Sequence, residues 1–92
     1  MNRFTMEQAE EIEVGKVTHY FAKINVAVIE LTNGTIKVGD ELHIKGHTSD
    51  FRQKVDSMQI EHENVEVAEP KQTIALKVEE PVRANDLVFK NI

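Results

Sequence analysis

Basic side chains, one tyrosine and two histidines are spread through the middle of the 92-residue chain at positions expected to face outward. Lysine and arginine contact phosphates, and tyrosine and histidine rings stack on bases, so the set could bind RNA. An ordinary solvated surface is the alternative, because acidic residues lie between these bases. The candidate RNA-binding or partner-binding set comprises Lys16, Tyr20, Lys23, Lys37, His43, Lys45, His47, Arg52 and Lys54.

The histidines, carboxylates and serines predict no catalytic, metal or cofactor site. His43 and His47 are four residues apart, but Gly46 interrupts the strand between them and no cysteine completes a zinc site. His19 has the apolar parity of its strand, which favours a hydrogen-bonded histidine at the core edge over a catalytic one. The glutamates between residues 61 and 69 are typical of a solvated loop, and no serine lies in a nucleophile elbow. We therefore expect no enzyme, no cofactor and no metal.

Composition and charge narrow the class of partner. The net charge is −5, and bases and acids nearly balance only in residues 14–60, where six Lys and Arg face five Asp and Glu. An acidic chain gains little from neutralising phosphates, so a nucleic-acid face is expected in that central segment. No apolar run approaches the about 18 residues of a membrane span, and no signal-peptide pattern is present. These features favour a cytoplasmic protein with no membrane partner.

An alternation of apolar and polar residues with a period of two predicts strands from Ile12 onward. Breaks in the alternation at Gly15 and around Asp56-Ser57 are candidate β-bulges. The predicted fold class is all-β, a small six-stranded antiparallel Greek-key barrel over residues 12–92. The six predicted strands are 14–21, 27–31, 42–44, 51–60, 74–78 and 87–90.

The first 11 residues differ from the rest of the chain. Thr5-Met6-Glu7-Gln8 matches a capping box, in which the threonine hydroxyl and the glutamine side chain satisfy backbone N–H groups. Glutamates in the first turn suit the helix dipole. Residues 1–11 are therefore predicted to form a short acidic helix or tail before the barrel.

Two glycine turns lie close together in the segment from Thr32 to Ile44. Asn33-Gly34 is typical of a type I′ hairpin turn, and Gly39-Asp40 indicates a second turn before a new strand. The run from Gly34 to Asp40 resembles the Gly-x-apolar-x-x-Gly-Asp signature of the translation-factor β-barrel, the second domain of elongation factor Tu. Small free-standing elongation-factor-like proteins are similar, and a similar barrel forms the C-terminal domain of collagenase-like peptidase relatives.

Two other turns depart from the translation-factor pattern. Lys71 lies in a turn where that family has a glycine, and Asn85-Asp86 replaces the last Gly-Asp. Asparagine tolerates the left-handed conformation, so we expect the turn at Asn85 to be kept. The chain has no Gly-x-x-x-x-Gly-Lys-Ser/Thr phosphate loop, so no GTPase activity and no bound nucleotide are expected.

The resemblance leaves two functions open. The first is a non-enzymatic accessory module that binds tRNA, ribosomal RNA or a ribonucleoprotein through the basic set. The alternative is a protein–protein docking module that partners an enzyme such as a collagenase-like peptidase relative. A continuous basic face with Tyr20 exposed would favour RNA, whereas an exposed apolar patch would favour a protein partner. The oligomeric state is open in both cases.

Overall fold

An antiparallel β-sheet curls into a half-barrel, and a small second sheet lies beside it. A computed structural model describes residues 10–91, so the predicted helix or tail around Thr5–Gln8 lies outside the described residues. Within this range there is no helix that could cross a membrane. The all-β expectation is confirmed. The strands are β1 Glu11–Phe21, β2 Val26–Leu31, β3 Ile36–Lys37, β4 Glu41–Lys45, β5 Asp50–Lys54, β6 Met58–Ile60, β7 Glu63–Val65, β8 Val67–Ala68, β9 Thr73–Lys77 and β10 Leu87–Asn91.

The predicted count of six strands is wrong, because residues 10–91 contain ten strands. The predicted strand 51–60 is divided into β5 and β6, and the break replaces the bulge expected at Asp56-Ser57. Three further strands, β3, β7 and β8, have only two or three residues, too few to produce a visible alternation. Eight strands form one sheet in the order β5-β4-β10-β1-β2-β9-β6-β7, and β3 pairs with β8.

The core lies on the concave side of the curled sheet and is built almost entirely of aliphatic residues. Strands β2, β4 and β9 each place every second side chain inward, as their alternating burial shows. Burial of this apolar surface is the main stabilising contribution to so small a domain. The largest fully buried side chains are Ile29, Leu31, Ile36, Leu42, Ile44, Met58, Ile74 and Leu76.

Strand β1 contains two irregularities in its pairing. The first lies between Glu13 and Gly15, which confirms the bulge predicted at Gly15. The second lies between Val17 and His19 and was not predicted. Thr18 is the unpaired residue there, and its hydroxyl donates a hydrogen bond to the Val28 carbonyl at 3.3 Å.

The second bulge reverses the facing of all later residues in β1. In a regular strand His19 and Phe21 would share the inward face of Val17, whereas the extra residue moves both to the outer face. The prediction that His19 lies at the core edge is therefore wrong. Tyr20, predicted to face outward, is instead partly buried and packs against the core.

The turn at Asn33-Gly34 does not close a hairpin, so that prediction is also wrong. Strand β2 pairs with β1 and β9 rather than with β3, and Gly34 has a φ of 76° while Asn33 is not left-handed. A two-residue hairpin turn with two positive φ values, as type I′ requires, occurs instead at Glu61-His62, with φ of 52° and 69°. The left-handed turn predicted at Asn85 is confirmed by its φ of 80°.

Gln53 bridges edge strand β5 to the end of β9. The side chain is buried, its Nε2 donates to the Lys77 carbonyl at 3.0 Å, and its Oε1 accepts from the Glu79 N–H at 2.8 Å. One buried amide thus satisfies two backbone groups that would otherwise lack partners there. This bridge holds the region between β5 and β9, where a polar pocket opens.

Candidate functional site

The outer faces of β2, β9 and β6 form an apolar groove next to the β1–β2 turn. Its volume is about 420 Å³. The ladder between β2 and β9 places Val28 opposite Ala75 and Val26 opposite Lys77, which fixes the groove floor. The apolar lining, which defines the apolar groove below, consists of Phe21, Ile24, Val26, Val28 and Ala75, together with Met58, whose side chain is buried in the core. The polar rim consists of Ser57, Gln59, His62 and Lys77.

Phe21 and Ile24 are the most exposed large hydrophobic side chains in residues 10–91. Their exposed fractions are 50% and 58%. Exposed apolar surface is unfavourable by roughly 25 cal/mol per Å² relative to burial. Adjacent exposed apolar side chains beside a groove are typical of a surface that binds a partner.

Several hydrogen bonds fix the turn that carries Ile24. The Ile24 N–H donates to the Phe21 carbonyl at 3.2 Å, and the Tyr20 hydroxyl donates to Asn25 Oδ1 at 3.2 Å. The Val78 N–H donates to the Asn25 carbonyl at 2.8 Å, which ties the turn to the chain after β9. A turn held in this way loses little conformational entropy when a partner binds.

An aromatic contact orders the outer end of β1 as well. The His19 and Phe21 rings are stacked, with centroids 6.3 Å apart and an angle of 9° between their planes. Both rings lie on the outer face because of the second bulge in β1. The stack supports the Phe21 side chain from one side, so the bulge positions the aromatic wall of the groove.

A polar pocket adjoins the apolar groove. It has a volume of about 430 Å³ and shares Ser57 and Lys77 with the groove. The amide bridge of Gln53 lies in its wall, together with the carboxylates of Asp56 and Glu79. The apolar groove and the polar pocket are therefore contiguous, and Lys77 lies between them.

The predicted basic residues of β4 and β5 lie together on one outer face, but acids alternate with them. Across the ladder Glu41 pairs with Lys54, and Lys45 pairs with Asp50. Each lysine thus has a carboxylate in the facing position, which opposes its charge. This face is a mixture of both charges and not a continuous basic surface.

Four of the polar side chains on this part of the sheet form what we call the histidine cluster, Glu11, His43, Asp50 and Arg52. His43 Nδ1 lies 3.0 Å from both Glu11 carboxylate oxygens, and Nε2 contacts Asp50 Oδ1. Arg52 Nη2 donates to Glu11 Oε2 at 3.1 Å.

The charge of the cluster acts on its most exposed carboxylate. The hydrogen bond from His43, with the nearby charges of His43, Lys45 and Arg52, holds the pKa of Asp50 below its usual value of 3.8. The two carboxylates lie on opposite nitrogens of His43 and do not converge on one point. In residues 10–91 no three His, Asp or Glu side chains are grouped so as to hold a metal ion.

The other members of the predicted set are dispersed. Lys23 lies in the β1–β2 turn, Lys37 in the small second sheet, and His47 in the exposed turn after β4. Lys16 is in the middle of β1, and Tyr20 is partly buried against the core. The structure therefore brings together His43, Lys45, Arg52 and Lys54 but not the remaining five.

The sequence pattern missed the residues of the apolar groove. Phe21 has the same parity as Val17, which in a regular strand would place it in the core, and only the second bulge changes its facing. The position of Ile24 in the sequence is a weak indication of an exposed apolar side chain. Ile24 is a large aliphatic residue between Lys23 and Asn25 in a short turn, where the core cannot accommodate it.

Comparison with known proteins gives the family. Residues 5–88 match the family model described as the Peptidase family U32 C-terminal domain. The chain belongs to this family. The match covers nearly the whole chain, and the expected relationship to collagenase-like peptidase relatives is confirmed.

Curated relatives of this U32 domain are much longer than the chain. An uncharacterized protease of Methanocaldococcus jannaschii is 38% identical over 80 residues, which are 86% of this chain and 19% of the relative. A collagenase of Porphyromonas gingivalis is 37% identical over 82 residues, which are 88% of this chain and 20% of the relative. The chain thus spans about a fifth of the length of these relatives.

A solved structure has the same fold. The C-terminal domain of a protein described as a U32 peptidase of Geobacillus thermoleovorans superimposes with a TM-score of 0.81 at 22% identity. The superposition covers 86% of this chain and 99% of the other. At this level of identity the likeness concerns the fold alone.

The family assignment corrects two of the predictions. The identity as a translation-factor barrel is wrong, because the matched family is the U32 C-terminal domain. The function as an RNA-binding or ribonucleoprotein-binding module is wrong with it. The structure gives the physical reason, since acids alternate with the bases on the basic face and Tyr20 is partly buried against the core.

Proposed function

We propose that this U32 C-terminal domain is a non-catalytic docking module, and that its apolar groove packs against the catalytic portion of a U32 peptidase-type protein. The observation that carries the proposal is the exposure of Phe21 and Ile24 beside a preformed groove. Aromatic and large aliphatic side chains of this kind form the centres of protein interfaces.

The lengths of the relatives supply a partner surface for the apolar groove. About four fifths of each curated relative lies outside the segment that matches this chain. A stable interface buries roughly 800 Å² on each side, which is more than a single groove provides. The groove would therefore be the centre of a larger contact that also includes its polar rim.

The arrangement of potential catalytic groups supports a non-catalytic role. Both ring nitrogens of His43 are occupied by carboxylates, so neither is available to activate a nucleophile. The Ser49 hydroxyl is buried and donates to the Pro81 carbonyl at 3.3 Å. We expect the purified chain to hydrolyse neither gelatin nor casein.

A chimera tests the docking role directly. In the Methanocaldococcus jannaschii protease, the 80 residues that match would be replaced by the corresponding segment of this chain. Hydrogen exchange at the amides of residues 22–28 would then be compared between the chimera and the isolated chain. Docking buries this turn, so we expect exchange there to be at least about tenfold slower in the chimera.

Matched variants show whether the groove causes the slower amide exchange in the chimera. In the chimera, Phe21→Ser combined with Ile24→Ser should restore the exchange rate of the isolated chain. Val67→Ser removes another exposed aliphatic side chain, 42% exposed on β8, and should leave the protection unchanged. Equal exchange in the chimera and the isolated chain would refute docking through this surface.

A further inference from the structure

The charges around the apolar groove differ from those of the chain as a whole. The chain has a net charge of −5, yet within residues 10–91 no Asp or Glu lines the groove. Its only ionisable lining residues are Lys77 and His62. A lysine at the rim of a groove that no carboxylate lines gives the groove a charge preference that a partner can recognise.

Lys77 is placed to act on a ligand in the groove. It faces Val26 across the ladder and lines both the apolar groove and the polar pocket. A lysine stem can lie along apolar surface while its amine stays in water. In the part of the chain that the structure describes, the ion pairs involve Lys90, Arg52 and His43, and not Lys77. Asp56 and Glu79 line the adjoining polar pocket, but neither forms an ion pair with Lys77.

We propose that the occupant of the groove is an apolar polypeptide segment carrying an acidic side chain that pairs with Lys77. This inference rests on the proposed docking function and specifies the chemistry of the docked segment. Apolar side chains of the segment would fill the space between Phe21, Ile24 and Val28. Its carboxylate would lie where the groove meets the polar pocket, beside the Lys77 amine.

Two synthetic peptides and the full 92-residue chain test this inference. The probes are the blocked tetrapeptides Leu-Phe-Glu-Leu and Leu-Phe-Gln-Leu, which differ only in charge. Amide chemical-shift changes during titration report both the site and the affinity. We expect shifts at Phe21, Ile24, Val28 and Lys77, and about threefold to fivefold tighter binding of the glutamate peptide at low salt.

Lysine variants assign the charge preference to one side chain. Lys77→Gln should make the two peptides bind equally while keeping the apolar contribution. Lys23→Gln removes an exposed lysine in the neighbouring turn that does not line the groove, and should preserve the preference. Salt at about 0.5 M should reduce the preference in the wild-type chain, because exposed charges are then screened.

The outcomes separate this inference from the docking proposal. Equal affinity of the wild-type chain for both peptides, or a preference that persists in Lys77→Gln, would overturn the acidic-segment inference. If Phe21→Ser still weakened both peptides in that case, the groove would remain a docking surface for uncharged segments. Absence of shifts in the groove with either peptide would also count against the inference.

Discussion

The histidine cluster and the apolar groove lie towards opposite ends of strand β1, since Glu11 begins the strand and Phe21 ends it. In the cluster, Glu11 and His43 are largely shielded, with side-chain exposures of 22% and 12%, and each contacts polar side chains of the same cluster. At the groove, Phe21 and Ile24 are at least half exposed. The polar groups of the histidine cluster have partners within the chain, whereas the apolar side chains of the groove are left uncovered.

This difference separates residues with a structural role from those that we propose to bind a partner. Charged groups that already have partners gain little from a further ligand, and moving them would cost hydrogen bonds. Exposed apolar side chains beside a fixed turn gain free energy when they are covered. Substitutions in the cluster should therefore change folding stability, whereas substitutions in the groove should change docking.

The largest loss of stability is expected from Gln53→Ala in strand β5. Arg52 belongs to the histidine cluster on the outer face, and the next residue, Gln53, makes the amide bridge beside the polar pocket. Gln53→Ala leaves the Lys77 carbonyl and the Glu79 N–H without this partner, so the free energy of unfolding should fall by about 2–3 kcal/mol. Urea denaturation measures this loss in the free energy of unfolding. Lys54→Ala, an exposed neighbour, is the control and should change it by less than about 0.5 kcal/mol.

A smaller loss of stability is expected from Glu11→Gln. This change keeps the shape of the side chain but removes the charge that contacts His43 and Arg52, so we expect a loss of about 1–2 kcal/mol. Thermal or urea unfolding checks the value, with the exposed neighbour Glu13→Gln as the matched control. Exchange protection of the groove in the chimera should not change. If the protection falls, the histidine cluster and the groove are coupled, and their roles are not separate.

Acid should weaken the histidine cluster through Asp50. Its pKa in the folded chain lies below the usual 3.8, so the ionised form is favoured by folding. The resulting stabilisation is complete above the unfolded pKa and is lost as the pH falls through the lower folded pKa. Asp50→Asn should therefore destabilise the chain at pH 7, and the difference from wild type should shrink below about pH 4. A constant difference from pH 7 to pH 2, in urea titrations at each pH, would contradict this.

The smallest effect on stability is expected in the groove itself. Ile24→Ser should change the free energy of unfolding by no more than about 0.5 kcal/mol, because the side chain is already 58% exposed. Val67→Ser on β8 should cause a similarly small change in the free energy of unfolding, measured by urea denaturation. A loss above about 1.5 kcal/mol for Ile24→Ser alone would show that Ile24 supports the fold, and would remove the contrast between the two regions.

Part of this fold could be predicted from local patterns. The alternation of aliphatic residues in β2, β4 and β9 indicates an all-β domain, and Gly15 and Asn85 indicate a bulge and a left-handed turn. These features depend on neighbouring residues only. The short strands β3, β7 and β8 exist because the curled sheet and the second sheet pair them, which no local pattern shows.

The two candidate regions were harder to predict, for different reasons. The histidine cluster joins Glu11 to His43, 32 residues apart, and depends on the order β4-β10-β1 in the sheet. The groove depends on the unpaired Thr18, a residue with good strand propensity and no sequence signal for a bulge. Asn33-Gly34 shows the converse case, because a strong hairpin signal is overridden by the pairing of β2 with β9.

The bulge at Thr18 gives the β1–β2 hairpin two adjacent aromatic residues with opposite roles. A slip of one residue in the pairing would exchange them, burying Phe21 and exposing Tyr20. The bond from Tyr20 to Asn25 and the bond from Val78 to the Asn25 carbonyl oppose this slip. Asn25 therefore holds the register of the hairpin, and with it the choice of which of the two aromatic rings is exposed.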